Sequence, residues 1–169
     1  DSTMRAGADA RQAKLLTMAS EGCARLIRLV SDILDLNKLE RGQMQLHRVP
    51  QPLRPLLEQA LAQNETYASQ HEVRYRLIAP DDALQVDVDR DRLLQVMTNL
   101  LSNAAKFSAP GAEVRVRMTA DDDEVVVCVE DDGAGIPAEF QPRVFERFAQ
   151  SAAVATRSKG GSGLGLSIA

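Results

Sequence analysis

The sequence predicts an α+β protein, with helices layered on one face of a sheet that includes an antiparallel pair, and a long bundle-forming helix ahead of it. Three observations carry that expectation. Apolar residues recur every seven positions through the first part of the chain; apolar and polar residues alternate in short runs of the second part; and helical and strand-like stretches intermix there within one continuous unit.

The seven-residue repeat runs from Ala10 to about Glu40 through Leu16, Ala19, Cys23, Leu26, Val30 and Ile33, with Asn37 at the next position. This spacing predicts a helix with an apolar seam. Ile27, Leu29, Leu34, Leu36 and Leu39 widen the seam beyond that of a two-stranded coiled coil, so the helix reads as one of a bundle of four and needs partners that this chain does not supply. Gly42 and the prolines Pro50, Pro52 and Pro55 then punctuate the chain, and the expected units are 1–48 and 49–169.

Beyond the boundary, LRPLLEQALAQNETYASQ has helical spacing, and VRYRLI and LQVDV alternate as strands. From Asp91 to Phe107, DRLLQVMTNLLSNAAKF opens on an aspartate and carries apolar residues at Leu93, Leu94, Val96, Met97, Leu100 and Leu101, which predicts a helix closed by Ala109-Pro110-Gly111. EVRVRMTA and EVVVCVE, joined by the acidic turn Asp121-Asp122-Asp123, predict a β-hairpin. The stretch from Gln150 to Gly163 is small, polar and glycine-rich, the composition of a mobile loop.

Composition narrows the function classes. At 169 residues and 44% apolar content the chain can bury one core, with or without an appendage. Its 20 basic and 24 acidic side chains leave a net charge of −4, which gives no pull toward nucleic acid or an anionic membrane. The longest apolar run, Val125 to Val129, is too short to cross a bilayer, and the first residues have no apolar stretch of the signal type, so the segment is expected to be cytoplasmic. Cys23 and Cys128 lie far apart with no metal-ligand spacing beside either, and two buried reduced thiols are expected.

Three local patterns carry chemistry. In N-L-L-S-N-A-A-K, Asn99, Asn103 and Lys106 share one helical face opposite the leucines. Amide oxygens suit a hard cation such as Mg²⁺ and an ammonium suits phosphate oxygens, although a solvated polar face has the same pattern. In D-D-G-A-G-I-P, directly after a strand, Gly133 and Gly135 let backbone approach a flat ligand and Asp131 can accept from an exocyclic amine, while the bland alternative is a glycine turn opening a helix at Pro137. The stretch imitates a dinucleotide fingerprint, but no second parallel strand ending in an acidic residue follows. In G-G-S-G-L-G-L-S-I-A, Gly161, Gly163 and Gly165 lead a helix whose free N–H groups suit phosphate. No Gly-Lys-Ser or Gly-Lys-Thr follows, so it is not a Walker loop, and alone it would read as a linker.

In this order, with the hairpin between the first two, the patterns closely resemble the N, G1 and G2 boxes of the histidine kinase catalytic domain, within the fold group of gyrase, Hsp90 and MutL ATPases. R-V-F-E-R-F resembles the F box, and S-D-I-L-D-L-N-K-L-E-R-G resembles the second helix of the kinase dimerisation hairpin. The resemblance covers nearly the whole chain and implies a two-layer α/β sandwich of the histidine kinase ATPase type. It implies that Asn103 holds Mg²⁺ bridging the ATP phosphates, with Asn99 and Lys106 supporting the phosphate side. Asp131 would read the adenine amine, and Gly133 and Gly135 would shape its pocket. Phe145 and Phe148 would fasten the lid; Gly161, Ser162, Gly163, Leu164 and Gly165 would close over the phosphates; Arg157 and Lys159 would neutralise their charge. In the related ATPases a glutamate four residues before the metal-binding asparagine activates water. Here that position is Asn99, which cannot act as a base, and a kinase with slow ATP hydrolysis is implied.

A kinase of this family needs an acceptor histidine. Only His47 and His71 are present, and His71-Glu72 with Arg74 matches the acceptor box superficially, without the proline expected after it; both histidines read as structural or surface groups. The resemblance therefore implies a chain that begins near the hairpin loop, after the acceptor, and stops before the last strands of the domain. The implied partners are a second copy through the hairpin helices of a longer parent and a response-regulator receiver domain, with no nucleic acid and no membrane contact by this segment. A serine kinase of the anti-sigma-factor type and a nucleotide-sensing dimerisation module without kinase activity are the alternatives.

Overall fold

The computed structural model describes residues 2–80, 84–121, 124–149 and 163–168. They form two compact units, Asp1–Met44 and Gln45–Ala169. The first is one helix, α1 (Ser2–Glu40). It stops where Gly42 takes a φ of +62°, the Gly42 N–H bonding to Leu39 O and the Gln43 N–H to Lys38 O. That is the double bond of a Schellman end, with glycine at its left-handed position. Leu16, Leu26, Val30 and Ile33 of the apolar seam are all exposed, as are Ile27 and Leu34.

The second unit begins with β1 (Val49–Pro52) and α2 (Leu53–Gln70). Then come β2 (Arg74–Ile78), β3 (Gln85–Val88) and α3 (Arg90–Phe107). A hairpin of β4 (Glu113–Ala120) and β5 (Val125–Glu130) follows, then a 3₁₀ turn at Gln141–Arg143 and the short α4 (Gly165–Ile168). The main sheet has the order β2-β4-β5, with β2 parallel and β5 antiparallel to β4, and β1 pairs β3 antiparallel in a small second sheet.

The core lies between the helices and the inner face of the main sheet. Leu53, Leu57 and Ala60 of α2 and Leu94, Met97, Leu101 and Ala104 of α3 pack with Val114, Val116 and Met118 of β4. Spacings of three and four on the helices and of two on the strand place these residues on single faces. Asn64 is the polar member of this layer: its Nδ2 donates to Ala60 O at 2.8 Å and to Thr98 Oγ1 at 3.2 Å, tying α2 to α3. Tyr75 of β2 donates its hydroxyl to Leu101 O at 3.1 Å, tying sheet to α3.

Three sequence expectations change. The expected antiparallel pair is β4 and β5, to which β2 adds a parallel strand. The proline-rich boundary contains a strand: Pro50 and Pro52 are accommodated because β1 has one partner among the described residues, β3. Both thiols are exposed: Cys128 pairs with Arg117 on the outer face of the sheet, and Cys23 follows the exposed seam of α1. Instead of a full helix after Pro137, there are turns and the three-residue 3₁₀ segment. The expected loop at 150–162 and the tip residues Asp122 and Asp123 fall outside the described residues.

Candidate functional site

α3 is the spine of the site. Asp89 starts it: Oδ1 accepts from the Asp91 and Arg92 N–H groups at 3.1 and 3.2 Å, and Oδ2 accepts from the His47 N–H at 2.9 Å. The His47 bond first, then those from Arg92 and Asp91, holds this carboxyl below the usual carboxylate range. One side chain thus caps the helix and fastens the segment leading into β1 to it. Ser108 closes the far end, its hydroxyl and N–H both donating to Ala104 O.

Leu94, Met97, Leu101, Ala104 and Ala105 turn inward, leaving Asn99, Asn103 and Lys106 half-buried on the other side. Asn99 Nδ2 donates to Gly165 O at 3.0 Å, and a Cβ on Gly165 would lie 3.4 Å from the Asn99 amide, so the start of α4 rests on this asparagine. The Asn103 amide makes no hydrogen bond among the described residues and is available to a ligand. Lys106 stands over the Phe107 ring, its Nζ 4.8 Å from the centroid.

The turn after β5 meets the other end of α3. A Cβ on Gly133 would fall 2.8 Å from Phe107 O and 2.6 Å from Asp131 Oδ1, so only glycine lets the chain pass this close. Asp131 Oδ1 accepts from the Gly133 N–H at 2.9 Å; its other oxygen makes no hydrogen bond among the described residues. Gly135 has a φ of +71° with open space around it. The turn after β5, at Phe107, and Gly165, at Asn99, therefore touch one helix eight residues apart, roughly 12 Å along its axis.

Phe148 brings in the remaining segment through its backbone. Its φ is +56°, its N–H donates to Gly163 O at 2.9 Å, and a Cβ on Gly163 would sit 2.8 Å from Phe148 main-chain atoms. The Phe145 and Phe148 rings are exposed, whereas Leu164 is fully buried. Arg157, Lys159, Gly161 and Ser162 lie outside the described residues. Of the two histidines, His71 caps the end of α2 with its ring 4.6 Å from that of Tyr67, and His47 is held by its main chain.

Two residues went unnoticed in the sequence. Asp89 has a local signal, an aspartate just before a helical apolar pattern. Arg115, which reaches Asp132 in the turn after β5 with two N–H groups, becomes visible only through strand register. Chemically, the arrangement offers an open amide suited to a hard cation, a carboxylate with an oxygen to spare, and glycine-lined backbone along one helix.

Residues 88–169 match the family described as Histidine kinase-, DNA gyrase B-, and HSP90-like ATPase. The circadian input-output histidine kinase CikA of Thermosynechococcus vestitus is 36% identical over 161 residues, covering 94% of this chain and 22% of that protein. Sensor histidine kinase WalK of Bacillus subtilis is 34% identical, covering 92% of this chain and 26% of its own length. The chain thus spans about a quarter of these curated relatives. Among solved structures, the mycobacterial sensor histidine kinase MprB is 32% identical with a TM-score of 0.59, covering 72% of this chain and 74% of that one. Full-length ShkA, solved in complex with AMPPNP, is 28% identical with a TM-score of 0.71, covering 85% of this chain and 29% of that one. The chain belongs to the histidine kinase family and carries its ATPase-type domain.

Proposed function

We propose that this chain is the ATP-binding, phosphate-donating part of a cytoplasmic two-component sensor histidine kinase. The observation that carries the reading is the convergence on α3: Gly165 rests on Asn99, Gly133 rests on Phe107, and the unengaged Asn103 amide lies between them. A nucleotide lying along the helix would have its adenine at the Asp131 end and its phosphates at the Asn99 end. The nucleotide analogue bound by ShkA, a relative of the same fold, supports such a ligand.

Asn103 would hold Mg²⁺, which when bound neutralises phosphate charge. Lys106 supports the phosphates as a point charge; Gly163, Leu164 and Gly165, with Arg157, Lys159, Gly161 and Ser162, close over them; and Phe145 and Phe148 flank the closing segment. Asn99 spends its amide N–H on Gly165 and has no basic atom to take a proton from water. The γ-phosphate is thereby kept for an imidazole on a hairpin helix outside this chain, in a parent that dimerises through such helices and passes phosphate to a receiver domain.

The test is to mix the chain with labelled ATP and Mg²⁺, with and without a hairpin fragment carrying an acceptor histidine. Acid-labile, base-stable label on the fragment is expected. Label on serine would mean a serine kinase, and binding without label would mean a nucleotide-sensing module. Asn103→Ala should remove Mg-ATP binding or transfer while leaving stability within about 0.5 kcal/mol. Turnover of ATP on the order of one per second by the chain alone would overturn the role given to Asn99.

A further inference from the structure

Three carboxylates stand in a row at the end of β5, Glu130, Asp131 and Asp132, and the structure treats them differently. Register sets Arg115 of β4 directly opposite Glu130, on the outer face of the sheet. From there its Nε reaches Glu130 Oε2 at 3.4 Å, and its two Nη groups reach the two oxygens of Asp132 at 3.1 and 3.0 Å. Arg117, two residues along the same face, donates to both oxygens of Glu130 at 3.2 and 3.4 Å. Both flanking acids are thus taken by arginines on the outer face. Asp131 takes no part in these pairs and lies beside Gly133, where the chain meets the Phe107 carbonyl of α3.

We propose that Arg115, seconded by Arg117, is a positioning residue for base recognition: by clamping Glu130 and Asp132 outward it fixes the turn so that Asp131 alone faces the ligand. The proposal rests on the reading of Asp131 as the adenine-binding carboxylate. A planar guanidinium bound at two oxygens fixes direction as well as distance, which a lysine in the same place would not. Two of the three adjacent negative charges are also compensated, so Asp131 is not driven from the site by its neighbours. The carboxyls respond as this pairing requires: Arg117 holds Glu130, and Arg115 holds Asp132, below the usual carboxylate range. These groups are partly open to water, so their pairing by itself contributes little to stability.

The test uses the whole chain and compares ADP with GDP binding by titration, alongside the unfolding temperature. Arg115→Gln and Arg115→Lys are each expected to weaken ADP binding by about tenfold while changing GDP by less than about twofold, so that the preference for adenine falls. Asp132→Ala, which leaves β4 untouched, should do the same, and combining it with Arg115→Gln should add nothing further. It also serves if Arg115→Gln fails to fold. In an Asp131→Ala background, where the base preference is already lost, Arg115→Gln should have no effect on that preference. If Asp131→Ala loses the preference but the Arg115 and Asp132 variants keep it, or weaken both nucleotides equally, the positioning role is overturned and the adenine reading survives. If Asp131→Ala itself leaves ADP and GDP binding unchanged, the underlying reading fails instead.

Discussion

Two glycines of the same turn make opposite demands. Gly133 is required for space: an added Cβ would press on a main-chain carbonyl, which cannot rotate away. Gly135 is required for its left-handed backbone and has nothing near it. Overpacking at the first should cost about 2 kcal/mol and abolish nucleotide binding in Gly133→Ala. Asparagine tolerates left-handed backbone, so Gly135→Asn should lose less than about 1 kcal/mol. Denaturant unfolding of the two variants checks both, and equal losses would show that the Phe107 contact is not what Gly133 serves. Asn103 and Asp131 were legible in the sequence because helical spacing and a glycine turn are local signals. The Arg115 clamp was not, because it joins residues whose opposition depends on which strand pairs with which and in what register.

Helix ends show the same contrast between elements. α1 and α2 both close with a Schellman pair of bonds, Gln43 N–H to Lys38 O and Gly42 N–H to Leu39 O in the first, Val73 N–H to Ala68 O and Glu72 N–H to Ser69 O in the second. α1 has glycine at the left-handed position, whereas α2 has Glu72 there, at a φ of +57°. Removing its Cβ should therefore stabilise: Glu72→Gly is expected to gain about 1 kcal/mol in denaturant unfolding, and a loss would contradict the strain assigned to this residue. The helices were readable because their apolar spacing is written locally, although the sequence opens α3 on Asp91, two residues after the aspartate that caps it. β1 was not, since two prolines in four residues signal a break, and only its place beside a single neighbouring strand among the described residues makes them acceptable. The exposure of Cys128 follows from the same alternation that buries Val127 and Val129 against the core, but it becomes readable only once Glu130 is known to face outward.

For the molecule as a whole, titration is expected to lower stability slightly at the acid end of the pH range and further at the alkaline end. Asp89, Glu130 and Asp132 are held below the usual carboxylate range by the His47 N–H, Arg117 and Arg115 respectively. A carboxyl whose folded value is lowered contributes fully above its unfolded value, and the contribution is lost as pH falls through the folded value. The unfolding temperature should therefore hold down to about pH 5 and fall only slightly below about pH 4, because these groups are open to water, and Asp89→Asn with Asp132→Asn should flatten that small fall. At the alkaline end burial, then the neighbouring Tyr67 and Glu65, push the Tyr75 hydroxyl up to about 12. Its contribution is full below the ordinary value near 10 and is lost as pH rises toward 12, so Tyr75→Phe should remove that part of the alkaline loss.

The bond between the Phe148 N–H and the Gly163 oxygen carries a further consequence, for how such a domain can vary. It fastens Phe148 to Gly163, the residues that bracket the intervening sequence. For a freely jointed insert the entropy of closure grows only with the logarithm of length, so doubling it costs roughly 0.6 kcal/mol. Variants that change the number of residues between Phe148 and Gly163 are thus expected to lose little stability in denaturant unfolding, whereas substitutions at Gly163 or Asn99 should lose more.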